Sequence, residues 1–438
     1  MPVNRRQFIK RSASAVSLSL VMPKLWMGSL AKGQDIAATN RRILLVIQQA
    51  GGNDGLNTVV PYTDSRYSQL RPILGFKDTE LKDAQGNSTI LGNDPFGLNP
   101  AMSEMKALYD AHKAAIVLGV GYPNANLSHF LSMDIWGSAN LNGGLGSGWL
   151  GRYADQKLLG QSGLSAVNIG GSLPKALFAN QVVIPSITNF GAYTYGTDER
   201  YRGDRNNQLN TFHATNARAF PVESFAKAIA DAGVDAADGA AQLQTAIAGY
   251  TSPVHYPANG EAAAQVVSFT NTMKMAAQIV STIPGADLLY VQIGGFDTHA
   301  QQNGAAADNY TNKTTGQHAN LLKAVSLGIQ LFYDDMVAHG LADNVVIMTW
   351  SEFGRRPNEN ASHGCDHGTA APLFVVGNAV QGGKIYGEQP SLSDLDSAGN
   401  MKFEVDFRAV YATILDKWLG TDSQSILGGE FGNMGFLG

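Results

Sequence analysis

Three apolar runs, far apart in the chain, each end in a turn that carries acidic or histidine side chains, and this repeated juxtaposition constrains the fold more than any other feature. Ile43 to Ile47 leads to Gly51-Gly52-Asn53-Asp54, Leu288 to Ile293 leads to Gly294-Gly295-Phe296-Asp297-Thr298-His299, and Val345 to Met348 leads to Ser351-Glu352-Phe353-Gly354-Arg355. A fourth cluster, His363-Gly364-Cys365-Asp366-His367-Gly368-Thr369, precedes the apolar run Pro372 to Val376. Short continuous apolar runs read as strands buried on both faces. In an open α/β sheet the loops at the carboxyl ends of the strands meet, so clusters distant in sequence become neighbours. Taken singly, Gly-Asn-Asp-Gly and Phe-Asp-Thr-His are also ordinary turn and cap chemistry. Four together, holding several of only nine histidines, point to a metal or catalytic centre.

The stretches between the runs supply the helices. Arg42 to Gln48 reads as the first strand, Asn99 to His112 as a helix and Ala114 to Gly119 as the next strand. The loop Gly121 to Asn126 then enters a helix over Ser128 to Ser138. This βαβα alternation marks a mostly parallel sheet. Ala262 to Val280 and Leu321 to Met336 are helical in pattern, while Asn189 to Asn216 is polar and aromatic. The expectation is a single α/β domain over 42–438 with an inserted segment at about 189–260. Gly143 to Gly148 is glycine-dense but lacks the Lys-Ser/Thr of a phosphate-binding loop, which leaves a surface loop.

Asn4-Arg5-Arg6-Gln7-Phe8-Ile9-Lys10, followed by a moderately apolar stretch from Ala13 to Met27, is a twin-arginine export pattern. Cleavage after Ser29-Leu30-Ala31 is expected, making 1–31 a leader, the export machinery a partner, and the location periplasmic or secreted. That stretch is broken by Pro23 and Lys24 and is too short for a confident bilayer span, and the remainder of the chain offers none. Twin-arginine substrates leave the cytoplasm folded, which suits a protein that takes up a metal first. The single Cys365 excludes an intramolecular disulfide, so the core must stabilise the fold. A net charge of −5 with scattered basic residues offers no stripe for nucleic acid.

As an ordered set, Gly51-Gly52-Asn53-Asp54, Gly294 to His299, Ser351 to Arg355 and Asp366-His367-Gly368 resemble an exported bacterial family, domain-of-unknown-function family 1501, placed within the alkaline phosphatase and sulfatase superfamily. The resemblance runs from about Arg42 to the helix around Trp418. It implies an α/β, alkaline-phosphatase-like sandwich with a mostly parallel central sheet flanked by helices. It also implies one or two divalent metal ions, zinc first, with manganese or iron as alternatives, held by Asp54, Asp297, His299, Glu352, Asp366 and His367. Two ions about 4 Å apart clamp the attacking and leaving oxygens of an in-line displacement. A mixed carboxylate and imidazole set suits these metals better than calcium.

The set departs from the superfamily pattern in two places. His299 stands two residues from Asp297, where four is usual; Gln301 occupies the expected place, and His318 is a possible substitute. Around Ser351-Glu352 the usual Asp-His pair is missing, which removes a nitrogen ligand. Ser128 opens a helix, where backbone N–H groups favour an oxyanion, and is equally a good N-cap. His129 beside it reads as a ligand, a general acid or a surface residue, and Ser128 with His129 form the catalytic candidates. Arg355 and Arg356 are placed to bind an anionic substrate through their planar forks. The implied function is metal-dependent hydrolysis of a small anionic ester, phosphate rather than sulfate because no Cys/Ser-x-Pro-x-Arg motif is present. The alternative is a non-catalytic exported binding or assembly protein that keeps the fold, to which the missing Asp-His pair points.

Overall fold

Each apolar run becomes a strand of one sheet. The computed structural model describes residues 41–438 apart from 145, 162, 192, 194–203, 219, 222–223 and 305–311, so the twin-arginine segment and part of the polar insertion lie outside the described residues. The strands are β1 (Ile43–Gln49), β2 (Ala114–Gly121), β3 (Ala166–Ile169), β4 (Leu288–Ile293), β5 (Val345–Trp350), β6 (Ala371–Val376), β7 (Lys384–Tyr386) and β8 (Val405–Asp406). They are ordered β7-β2-β6-β5-β1-β4-β3, with β8 also on β2.

Every residue of β1 is buried, because alternate side chains enter two different cores. Ile43, Leu45 and Ile47 face a core built with the helices Ser103–Asp110, Ala264–Thr282 and Gln317–Ala338. Leu44 and Val46 face another, built with the helices His129–Ser138, Trp149–Lys157 and Phe407–Thr413. Burial on both faces explains why the runs read as apolar throughout rather than alternating.

The sheet is mostly parallel and flanked by helices, as expected, with one exception. β6 runs antiparallel to both β2 and β5. A parallel neighbour to β5 needs a crossover, and the chain from Ser351 to Ala370 contains no helix. The chain therefore loops at the carboxyl edge and turns straight back. This return brings His367 to the edge where β1, β2, β4 and β5 also end. No helix among the described residues is long and apolar enough to cross a membrane.

Candidate metal centre

Four side chains from three separate segments converge at that edge. His129 is the first residue of the helix after β2, Asp297 and His299 lie in the loop after β4, and His367 precedes β6. The Nε2 atoms of His299 and His367 each lie 3.1 Å from Asp297 Oδ1 and 2.9 Å from one another. His129 Nε2 lies 3.4 Å from Asp297 Oδ2. A tetrahedral zinc with bonds of about 2.1 Å sets its ligand atoms roughly 3.4 Å apart. The observed spacing is of that order.

The outer nitrogen of each ring is anchored. His129 Nδ1 lies 2.8 Å from Glu352 Oε1, His299 Nδ1 lies 3.1 Å from Asp366 Oδ1, and His367 Nδ1 donates to the Leu127 carbonyl at 2.9 Å. The Leu127 carbonyl can only accept, so His367 donates from Nδ1, while the Nε2 atoms of His299 and His367 both lie within hydrogen-bond reach of Asp297 Oδ1. Burial, partly offset by Asp297, holds the His367 imidazole below its ordinary 6.5. Two imidazole nitrogens 2.9 Å apart need a proton or a cation between them. In addition, His129 Nε2 is buried without a hydrogen-bond partner. His129, Asp297 and His367 offer ligand atoms all within 4.8 Å of one another, a set that fits a divalent ion, with His299 beside it and each imidazole oriented by an oxygen behind it.

Asp297 is the charged partner of the set. Burial works to raise its carboxyl, but the Arg355 hydrogen bond, His367 and the Arg355 charge bring it down to about 2. Its side chain and that of His299 are nearly half exposed, so the cluster opens to solvent. Phe353 closes the inner side, its ring 4.8 Å from His129 and 4.5 Å from His367.

Glu352 and Asp366 stand behind the rings. Glu352 is fully buried, its Oε1 also accepting the Gly51 N–H at 2.8 Å. Asp366 is held by the Asn360 amide, which is the main cause lowering its carboxyl from 3.8, with His299 adding to it.

Asp54 lies elsewhere. It is fully buried, and Arg71 Nη1 and Gln302 Nε2 each donate to its Oδ2 at 2.6 Å. Burial pulls its carboxyl up, but the Arg71 charge and hydrogen bond overcome this and hold it below 3.8. Its Oδ2 is thus held in an ion pair, while its Oδ1 is buried without a hydrogen-bond partner. His318 is also buried and turns to Asn53 Oδ1 at 2.9 Å, not to the cluster. Gln301 sits in a left-handed turn.

Ser128 occupies the N-cap position, yet its hydroxyl makes no cap hydrogen bond and the residue is exposed. Arg355 is buried, and its guanidinium is taken up by the carbonyls of Gly51, Gly52, Cys365 and Phe296 and by Asp297 Oδ1 at 2.6 Å. It clamps the loops together instead of facing an incoming anion. Arg356 keeps a buried Nε with no hydrogen-bond partner, and its charge reaches Asp366. Burial pushes the Cys365 thiol up, which suppresses the thiolate.

Arg71, Gln302 and Asn360 are the contributors that motif reading does not find. They stand outside the glycine-rich turns, and no local spacing connects them to the acids they hold.

These features define an α/β protein with a histidine and carboxylate cluster at the carboxyl edge of its sheet. The chain belongs to the family described as Protein of unknown function (DUF1501), whose model matches residues 41–434. No curated protein matches it. The chain is also distantly similar to several solved structures. A phosphonate monoester hydrolase of Agrobacterium radiobacter is 9% identical with a TM-score of 0.37, covering 89% of this chain and 78% of that one. The PsFucS1 sulfatase from Pseudoalteromonas sp. is 11% identical with a TM-score of 0.36, covering 89% and 68%. A protein in the alkaline phosphatase superfamily from Vibrio parahaemolyticus is 9% identical with a TM-score of 0.34, covering 80% and 62%.

Proposed function

We propose that this chain is an exported hydrolase of phosphate esters, with sulfate esters second, that works with one divalent metal ion, zinc before manganese or iron. The observation that carries the reading is the convergence of His129, Asp297, His299 and His367 with every outer imidazole nitrogen anchored. These four hold the ion; Glu352, Asp366 and the Leu127 carbonyl orient the rings. A bound divalent ion supplies Lewis-acid stabilisation of charge on an ester oxygen and lowers the pKa of water. Ser128 offers an exposed hydroxyl next to His129, at a helix start whose N–H groups favour developing negative charge. Arg356 is the remaining cation for the ester anion. The Asp54–Arg71 pair, which engages Asp54 Oδ2, supports the one-ion form of this reading.

The test is elemental mass spectrometry of protein purified without chelators or a histidine tag, beside an Asp297→Ala, His367→Ala double variant. About one equivalent of metal, lost in the variant, together with turnover of a phosphomonoester or diester in a substrate screen, is expected. Absence of stoichiometric metal from the folded protein sinks the reading. The Asp54–Arg71 pair also favours a second reading, an exported binding or assembly protein with one structural metal. Bound metal with no turnover of any ester, and none lost on Ser128→Ala, selects it. Export is tested by changing Arg5 and Arg6 to lysine, which retains the precursor in the cytoplasm if the leader is of the twin-arginine kind.

A further inference from the structure

The edge that carries the cluster also carries a cavity of about 180 Å³. Its floor is made by residues near the carboxyl ends of three neighbouring strands: Gln48 on β1, Tyr290 and Gln292 on β4, and Trp350 on β5. Gln48 is paired with both Gln292 and Trp350, so these side chains leave the same face of the sheet. Phe130 and Met133 form a wall, Phe130 being the residue after His129. Phe130 follows His129 directly, so the cavity wall and the cluster are built on the same helix start.

Its chemistry is neutral. Asp134 and Lys175 line it, but they compensate each other at 3.5 Å, and Lys175 also donates to the Gly144 and Gly146 carbonyls at 2.8 Å. What remains is an aromatic face and two amides. Phe130 is 90% exposed. Gln292 is exposed, and the Tyr290 hydroxyl takes Gln48 Oε1 at 2.7 Å, which leaves the Gln48 amide as a donor. An anion finds no free cation here, and a hydrocarbon strands the amides. A hydroxylated ring satisfies both, with its C–H face on Phe130 and its hydroxyls on the amides.

We propose that this cavity is a binding subsite for a neutral sugar ring, which presents an attached ester to the histidine cluster. Only the presentation of the ester rests on the hydrolase reading; ring binding does not. The test is saturation-transfer-difference NMR with methyl glycosides of glucose, galactose, mannose and N-acetylglucosamine. It uses the wild-type protein and the Phe130→Ala, Gln292→Ala and His367→Ala variants. At least one glycoside is expected to bind, at least tenfold more weakly in Phe130→Ala and Gln292→Ala and unchanged in His367→Ala. Phe130 and Gln292 are exposed, so neither change threatens folding. No glycoside bound by the wild type, or binding that Phe130→Ala leaves intact, overturns the proposal. Glycoside binding by a protein that hydrolyses no ester upholds it while the hydrolase reading fails. Ester turnover without glycoside binding does the reverse.

Discussion

Asp54 and Asp297 both follow an apolar strand through a glycine turn, yet they end in opposite circumstances. Asp54 is sealed against Arg71, whereas Asp297 reaches solvent among three histidines. Replacing Asp54 with asparagine leaves a buried guanidinium without its counter-charge, a change that costs about 3–5 kcal/mol. Urea denaturation of Asp54→Asn should show that loss, while the metal content of the folded protein stays at the wild-type level. Metal lost from a folded Asp54→Asn protein returns Asp54 to the ligand set. Glu352 gives a second contrast. Because it touches the ring nitrogen of His129 that faces away from Asp297, Glu352→Gln should weaken metal binding about 10–100-fold without abolishing it. Asp297→Ala should abolish it. Equal losses in a chelator competition make Glu352 a direct ligand. The motif alone could not separate these roles, because the turn chemistry around Asp54, Asp297 and Glu352 is alike and the deciding partners are remote.

Loops, not strands, set the spacing of the cluster. Gly51 has φ +123°, and a Cβ there falls 2.4 Å from the Asp297 backbone nitrogen. Gly51→Ala therefore meets both backbone strain, about 1–3 kcal/mol, and a collision with the ligand loop. A lowered urea midpoint together with reduced metal occupancy is expected; wild-type values for both count against this account of the turn. On the helix side, Trp136 stacks between Trp350 at 5.2 Å and Phe407 at 4.4 Å, which fixes the helix that begins with His129. Trp136→Ala should cost about 3–5 kcal/mol and loosen metal binding, measured by the same two readouts. Strands β1, β4, β5 and β6 were legible because burial on both faces makes their sequences continuous apolar runs. The direction of β6 was not, since antiparallel pairing depends on the absence of a crossover and not on the strand itself. The short edge strands β7 and β8 and the four-residue β3 carry too few residues to show a pattern.

At the scale of the whole molecule, the meeting of clusters was legible from one rule, that loops gather at the carboxyl edge, but the buried polar network beneath them was not. That network makes stability depend on pH. His318 lies fully buried against Asn53, and burial, against the pull of Asp54, holds its imidazole at about 4, where an unfolded chain has about 6.5. Between these values the unfolded chain binds a proton that the folded one refuses. Stability from this source is therefore fully present above pH 6.5 and is lost as pH falls to about 4, by up to about 3 kcal/mol. Asp54 acts in the same sense further down: its carboxyl is held below 3.8, so its contribution is present above that value and fades beneath it. His318 is one of nine histidines, so the informative quantity is a difference. Urea midpoints of chelator-treated wild type and His318→Gln, compared from pH 7.5 to 4, should diverge, the wild type falling more steeply because glutamine has no proton to gain. Parallel curves remove His318 as the source of the acid sensitivity.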